Sequence, residues 1–285
     1  MDRPLVSFLL PTRVVPGEAH TPAALLTSLK SIVATSSDSN AYEVLIRFDD
    51  DDEATLEIIP QIHEIFAPTI ADVKIIIGPR HHYIGLHHYY NELAAISTGE
   101  LLFLWNDDLE ILPVRCGWQT RNSYGENFGT DDWEGYEGPQ YEEWDMILQG
   151  DLEDMGPHIF LLFPTEVYWD LPLPSDDVLY ERHISTLAFP ILTRKGYEAM
   201  GHFSHSPLND AYLVNVGCMG LEGKNIRKRS RLMLYHHPET DEKGLGWRAK
   251  TPEYELAHRI HHKVAMGELE RADQEAIKAI YEGED

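Results

Sequence analysis

Four short apolar runs alternate with segments of helical spacing over the first 113 residues, and few folds accommodate that order. Leu5 to Leu10 suits a buried parallel strand stopped by Pro11. Thr21 and Pro22 then supply an N-cap and a first helical residue for a segment from Ala23 to Ala34. Tyr42 to Phe48 is the second strand, running into four consecutive carboxylates, Asp49 to Asp52. A helix is expected from Thr55 to Phe66 with a kink at Pro60, followed by a third strand, Val73 to Ile77, closed by Gly78-Pro79. Tyr89 to Ser97 reads as a helix with Gly99 as a left-handed C-cap, and Leu101 to Trp105 as the fourth strand. A β-α-β-α-β-α-β order predicts an α/β, doubly wound, mostly parallel sheet.

The fourth run breaks abruptly into Asn106, Asp107 and Asp108. In open α/β sheets the carboxyl ends of the strands are where ligands bind. Adjacent carboxylates repel each other unless a cation shares the space, and a divalent ion commonly does so. Taken alone, the pair is better explained as an ordinary strand-to-turn junction. Acidic points recur, however, at the ends of three apolar segments: Asp49-Asp50, Asp107-Asp108 and Asp210. Loops after successive strands converge on one edge, so these points can share a cleft. Nucleotide-sugar chemistry uses such a set. One carboxylate meets the base or ribose, a pair holds a metal on the diphosphate, and a third deprotonates an attacking hydroxyl.

Composition narrows the partners. The net charge is -25, with 48 acidic against 23 basic residues, a field that disfavours bare nucleic acid and anionic membranes. No apolar run approaches the length of a bilayer span, and Val6 to Leu10 is too short for a signal-peptide core, so the expected location is cytoplasmic. Cys116 and Cys218 lie far apart, which favours free thiols over a disulfide framework.

Beyond Pro113 the character changes. No Lys or Arg occurs between Arg121 and Arg182, where Trp133, Tyr136, Tyr141 and Trp144 are interleaved with carboxylates. Recurrent Gly and Pro predict a loop-rich acidic insertion over about residues 117–185, either a carbohydrate-binding surface or a solvated excursion. The main domain is then expected over 1–240, with a helical tail over 241–285 whose charges alternate at helical spacing. The basic cluster from Lys224 to Arg231 suits a counter-charge to the acidic surface, or a loop closing over a diphosphate.

Pro11-Thr12-Arg13, Asp49-Asp50 with Thr55, Asn91, Gly99-Glu100 and Leu101 to Asp108 stand in an order that resembles family-2 glycosyltransferases of the GT-A fold. The resemblance covers the first 113 residues and can be traced to about His236. It implies that Pro11, Thr12 and Arg13 line a nucleotide pocket, with Asp49 or Asp50 on the base or ribose. Asn91, Asn106 and Asp107 join the donor-binding set by the same carry-over. Asp108 would ligate Mn2+ or Mg2+, with His236 completing the site and His237 as the competing choice. Asp210, in Asn209-Asp210, stands where the family carries its catalytic base. The chain departs from the family at Asn106, where an Asp is usual, and in lacking an Arg shortly before Asn91; Arg80, His87, Arg227, Arg229 or Arg231 could substitute. The remaining paired histidines are expected at the surface or in ring packing. A sugar-nucleotide pyrophosphorylase would need a Gly-rich basic loop after the first strand, which Pro11 to Gly17 lacks.

The resulting expectation is a metal-dependent transfer of a hexose from a nucleotide sugar, with UDP as the nucleotide, to a hydroxyl acceptor, with inversion. The acceptor could be a glycan, a protein or a small molecule. The alternative is a GT-A fold that binds a nucleotide sugar or glycan without turnover.

Overall fold

In the computed structural model, which describes residues 3–13, 21–111, 120–121, 127–128, 143–154, 160–169, 181–182, 189–218, 227–236 and 252–282, the first third follows the alternation read from sequence. Strands β1 (Val6–Thr12), β2 (Tyr42–Asp49), β3 (Asp72–Gly78) and β4 (Leu101–Leu104) alternate with helices α1 (Pro22–Ala34), α2 (Glu53–Leu56), α3 (Ile59–Phe66) and α4 (Leu86–Ile96). All pairings among these four strands are parallel, in the order β3-β2-β1-β4. The order reverses between β1 and β4, and that reversal opens a crevice at the carboxyl edge.

Local physics explains the small departures. Thr21 caps α1 through its hydroxyl, which accepts from Ala24 N at 3.1 Å. Pro60 does not kink one long helix: it lies in the first turn of α3, where its missing N–H costs nothing, and Asp52 caps the separate turn α2. Gly99 is not a left-handed cap either. A Cβ there would sit 2.6 Å from Ser7 Oγ and 2.7 Å from Ser7 N, so glycine is required by the approach of the backbone to β1. Arg194 secures the same turn, donating to Gly99 O at 3.0 Å and Ser97 Oγ at 2.8 Å.

The second half of the sheet is mixed. Strands β5 (Leu109–Ile111), β8 (Leu161–Trp169), β10 (Ile191–Thr193) and β11 (Arg227–His236) continue it in the order β4-β10-β8-β11-β5. The short pieces β6 (Thr120–Arg121) and β7 (Asn127–Phe128) pair with each other, and β9 (Glu181–Arg182) pairs with β8. Helices α5 (Trp144–Glu153), α6 (Arg194–Met200), α7 (Asn209–Cys218), α8 (Pro252–His261) and α9 (Val264–Glu282) complete the chain. The fold is α/β with a helical C-terminal tail. No helix among the described residues is long and apolar enough to cross a membrane.

Two parts of the acidic segment, read as loop from sequence, are regular. β8 lies inside the sheet, and α5 buries Trp144, Ile147 and Leu148 at helical spacing beneath its acidic face. Asp145, buried, accepts from Ser37 N at 2.9 Å, Asp38 N at 2.9 Å and Ser37 Oγ at 2.7 Å, docking α5 onto the loop after α1. The Trp144 indole donates to Ile32 O at 2.9 Å, and its ring meets Phe8 edge-on at 5.1 Å. The other aromatics singled out in this segment, Trp133, Tyr136 and Tyr141, lie outside the described residues.

Candidate active site

The carboxyl ends of β1, β2 and β4 form one side of a cavity, through Pro11, Thr12 and Arg13, Arg47 and Asp49, and Asn106 and Asp107. Its other wall comes from Arg80, His82 and Tyr83, from Leu86, Tyr89 and Tyr90 of α4, and from Glu253 at the start of α8. The C-terminal tail therefore contributes to the site, with Tyr254 of α8 lying 5.9 Å from the Tyr83 ring. His82 holds a backbone φ of 58°, unusual for a residue with a Cβ, and such strain concentrates in ligand-binding walls.

A hydrogen bond from Thr12 Oγ1 to Asp107 Oδ2 spans the switch point between β1 and β4. Asp107 and Asp108 are both buried. Their turn is braced from two helices: the Trp105 indole donates to Ser28 Oγ of α1 at 2.9 Å, and Tyr90 of α4 donates to Asn106 Oδ1 at 3.0 Å. Asn106 thus meets a neutral hydroxyl, where the usual Asp would add a third negative charge to a buried corner.

Asp49 is the member of its pair that faces the cavity. Its Oδ2 accepts from Arg13 Nη1 at 3.1 Å and its Oδ1 from the Tyr89 hydroxyl at 2.7 Å. Burial, then the bond to Asp49, pushes the Tyr89 phenol up, so it stays a donor. Asp50 is exposed and outside the cavity lining, with its backbone N donating to Gly78 O at 2.9 Å. Asn91 is also outside the lining. Its amide spans the loop after α6, accepting from Phe203 N at 2.7 Å and Ser204 N at 3.1 Å and donating to Ser204 O at 2.8 Å.

Arg47 is a cavity residue that the sequence reading missed. It is 2% exposed, donates to Glu92 Oε2 at 2.8 Å and Pro79 O at 2.8 Å, and lies 3.8 Å from Asp49 Oδ1. The available signal was a lone cation two residues before Asp49, following the apolar run Val44-Leu45-Ile46. With Arg13 and Arg80 it gives the cavity three guanidinium groups. His87 is outside the cavity lining, and burial, then its histidine neighbours, lowers its pKa to about 4.

The strand ladder decides where His236 goes. β11 pairs antiparallel with β5, placing His236 opposite Leu109, the residue after Asp108. Residues 227–231 of the basic cluster are strand, with Arg227, Lys228 and Arg229 beside Leu161, Leu162 and Phe163, and so do not form a closing loop. Lys224 and His237 lie outside the described residues. The two buried carboxylates of Asp107 and Asp108 are oxygen donors of the kind a divalent cation such as Mn2+ takes.

Asp210 stands in the first turn of α7. It is partly exposed, yet protein surrounds its carboxyl closely enough that burial pushes its pKa up; the Ala211 N–H and the nearby His261 and His258 pull the other way without prevailing. The preceding Asn209 is 2% exposed, and its amide finds no hydrogen-bond partner among the described residues.

No protein-family model matches the chain, and no curated protein matches it in sequence. Among solved structures, it is similar to the mannosyltransferase PcManGT from Pyrobaculum calidifontis in complex with GDP-Man and Mn2+. That alignment has 14% identity and a TM-score of 0.53, covering 97% of this chain and 75% of the other. S. aureus TarS 1-349 in complex with UDP aligns at 13% identity and a TM-score of 0.49, over 82% of this chain and 60% of that one. Strand order, the crevice at the β1/β4 reversal and the likeness to PcManGT together give the chain a GT-A-like glycosyltransferase fold.

Proposed function

We propose that this chain is a metal-dependent glycosyltransferase that moves a hexose from a nucleotide sugar to a hydroxyl acceptor with inversion. The observation that carries the reading is the Thr12–Asp107 bond across the strand-order reversal, which sets an acidic turn beside a cavity containing Asp49 and three arginines. Asp49 and Arg13 would hold the base and ribose, with Arg47 and Arg80 toward the diphosphate. Asp108 and His236 would hold Mn2+ or Mg2+, which when bound neutralises charge on the departing diphosphate.

Asp210 would take the proton from the acceptor hydroxyl as its oxygen bonds the anomeric carbon. The bond from that carbon to the diphosphate oxygen breaks, and its electron pair leaves with the nucleotide. A pKa raised by burial makes the carboxylate a stronger base, while His258 and His261 limit how far it rises. The expected donor is a UDP sugar. PcManGT is described with GDP-Man, so GDP sugars belong in the same test.

Thermal stability is measured with a panel of UDP and GDP sugars, with and without Mn2+, followed by transfer assays on Asp210→Asn. Metal-dependent stabilisation by one donor, with transfer falling by about 10²–10⁴-fold in the variant while donor stabilisation persists, is the expected pattern. Donor binding without any transfer or donor hydrolysis would favour the non-catalytic alternative, and undiminished transfer by Asp210→Asn would remove Asp210 from its role.

A further inference from the structure

We propose that His202, His205 and Asp273 form a second divalent-metal site, of the zinc class, apart from the Asp107-Asp108 edge. Among the described residues they are the group whose candidate ligand atoms come together, all within 4.8 Å of one another. His202 Nε2 lies 3.1 Å from Asp273 Oδ1, and the His202 and His205 rings are 3.6 Å apart between centroids. Two ligands about 2.0–2.1 Å from a tetrahedral ion are separated by roughly 3.3 Å, so the His202–Asp273 spacing already matches a shared metal.

The surroundings supply what such a site needs. Asp273 is 6% exposed, and its second oxygen accepts from the buried Tyr212 hydroxyl, an outer bond that fixes how the carboxylate presents itself. The His205 ring lies against His202 and Tyr212. Two neutral imidazoles and one carboxylate are a zinc donor set, leaving a fourth position for water.

Position indicates what the ion does. His202 and His205 lie on the loop between α6 and α7, and Asp273 lies on α9. Asn91 grips the same loop through Phe203 and Ser204. A metal would therefore staple the C-terminal helix to the loop that leads, five residues after His205, into Asp210.

The test uses the full chain stripped with chelator and titrated with Zn2+ alone, without nucleotide sugar. One tight zinc per chain is expected in the wild type and in Asp108→Asn, with affinity falling at least about 100-fold in His205→Ala. Zinc edge X-ray absorption on the wild type, which needs no variant to fold, should show two imidazoles plus oxygen. Absence of stoichiometric zinc, equal affinity in His205→Ala, loss in Asp108→Asn, or a shell with fewer than two imidazoles would overturn the assignment.

Discussion

Replacing Glu43 by Gln probes how the parallel half of the sheet is tied together. Glu43 is 1% exposed on β2, and its Oε1 accepts from Ser7 Oγ at 2.6 Å, Thr98 Oγ1 at 3.0 Å, Gly99 N at 3.3 Å and Thr98 N. Its Oε2 accepts from Lys74 Nζ of β3 at 2.7 Å. One carboxylate thus joins β1, β2, β3 and the turn before β4. Gln keeps the Oε1 acceptor but turns an NH2 toward the Lys74 ammonium. The charge-assisted bond lost is worth about 1.5–3 kcal/mol. Lys74, 32% exposed and 3.3 Å from Asp72, can turn to water or to that neighbour, so the expected cost is about 2 kcal/mol at pH 7.

The pH dependence supplies an internal check. Burial alone would raise the Glu43 pKa, but the bonds from Lys74, Ser7 and Thr98 outweigh it and hold it below the ordinary 4.5. The unfolded chain therefore binds the proton first as pH falls, and Glu43's contribution is present above 4.5 and lost as pH drops through the folded value. Urea unfolding of both proteins between pH 7 and pH 3 should show a gap that narrows below 4.5. A gap under about 0.5 kcal/mol at pH 7, or one constant across the range, would refute the reasoning.

Two further outcomes follow from the site and the acidic segment. Because burial raises the Asp210 pKa above the ordinary 3.8 and the base must be ionised, kcat/KM should rise with pH through an apparent pKa above 3.8. An acid limb at or below that value would contradict the assignment. Trp144→Ala empties a fully packed position against Phe8 and Tyr42 and should cost about 3–5 kcal/mol by urea unfolding. A loss below about 1 kcal/mol would mean that α5 is not part of the core.

The parallel half of the fold was legible because its evidence is local. Apolar runs stopped by Pro11, by Asp49 and by Asn106 mark strands whose ends must face one edge, and the acidic residues at those ends mark the crevice. The second half was harder to read. β8 is flanked by Gly and Pro and sits in a strongly acidic stretch, and α5 hides its apolar stripe among carboxylates such as Asp145 and Asp151, whose partners come from the loop after α1 and from β11. Asp145 looks like a solvated charge in sequence; in the fold it is buried on two backbone N–H groups and a hydroxyl.

Within the site, no single strand end was enough: the recurrence of carboxylates at the ends of successive apolar segments is what singled out Asp49-Asp50 and Asp107-Asp108. Which of Asp49 and Asp50 faces the cavity depends on strand pleat, and Asn91's attachment to the α6–α7 loop depends on packing across more than a hundred residues. Arg47 reads as an oddity in a mostly apolar strand until Glu92 and the carbonyls of Gly78 and Pro79 surround it. The histidines at 202 and 205 meet Asp273, on a helix far along the chain, only in the fold. Local pattern determined the strands, their direction and the acidic edge, because periodicity and chain-stopping residues act over a few positions. Tertiary structure decided which side chains share that edge and which serve as braces, because burial and hydrogen-bond partners come from segments far apart in the chain.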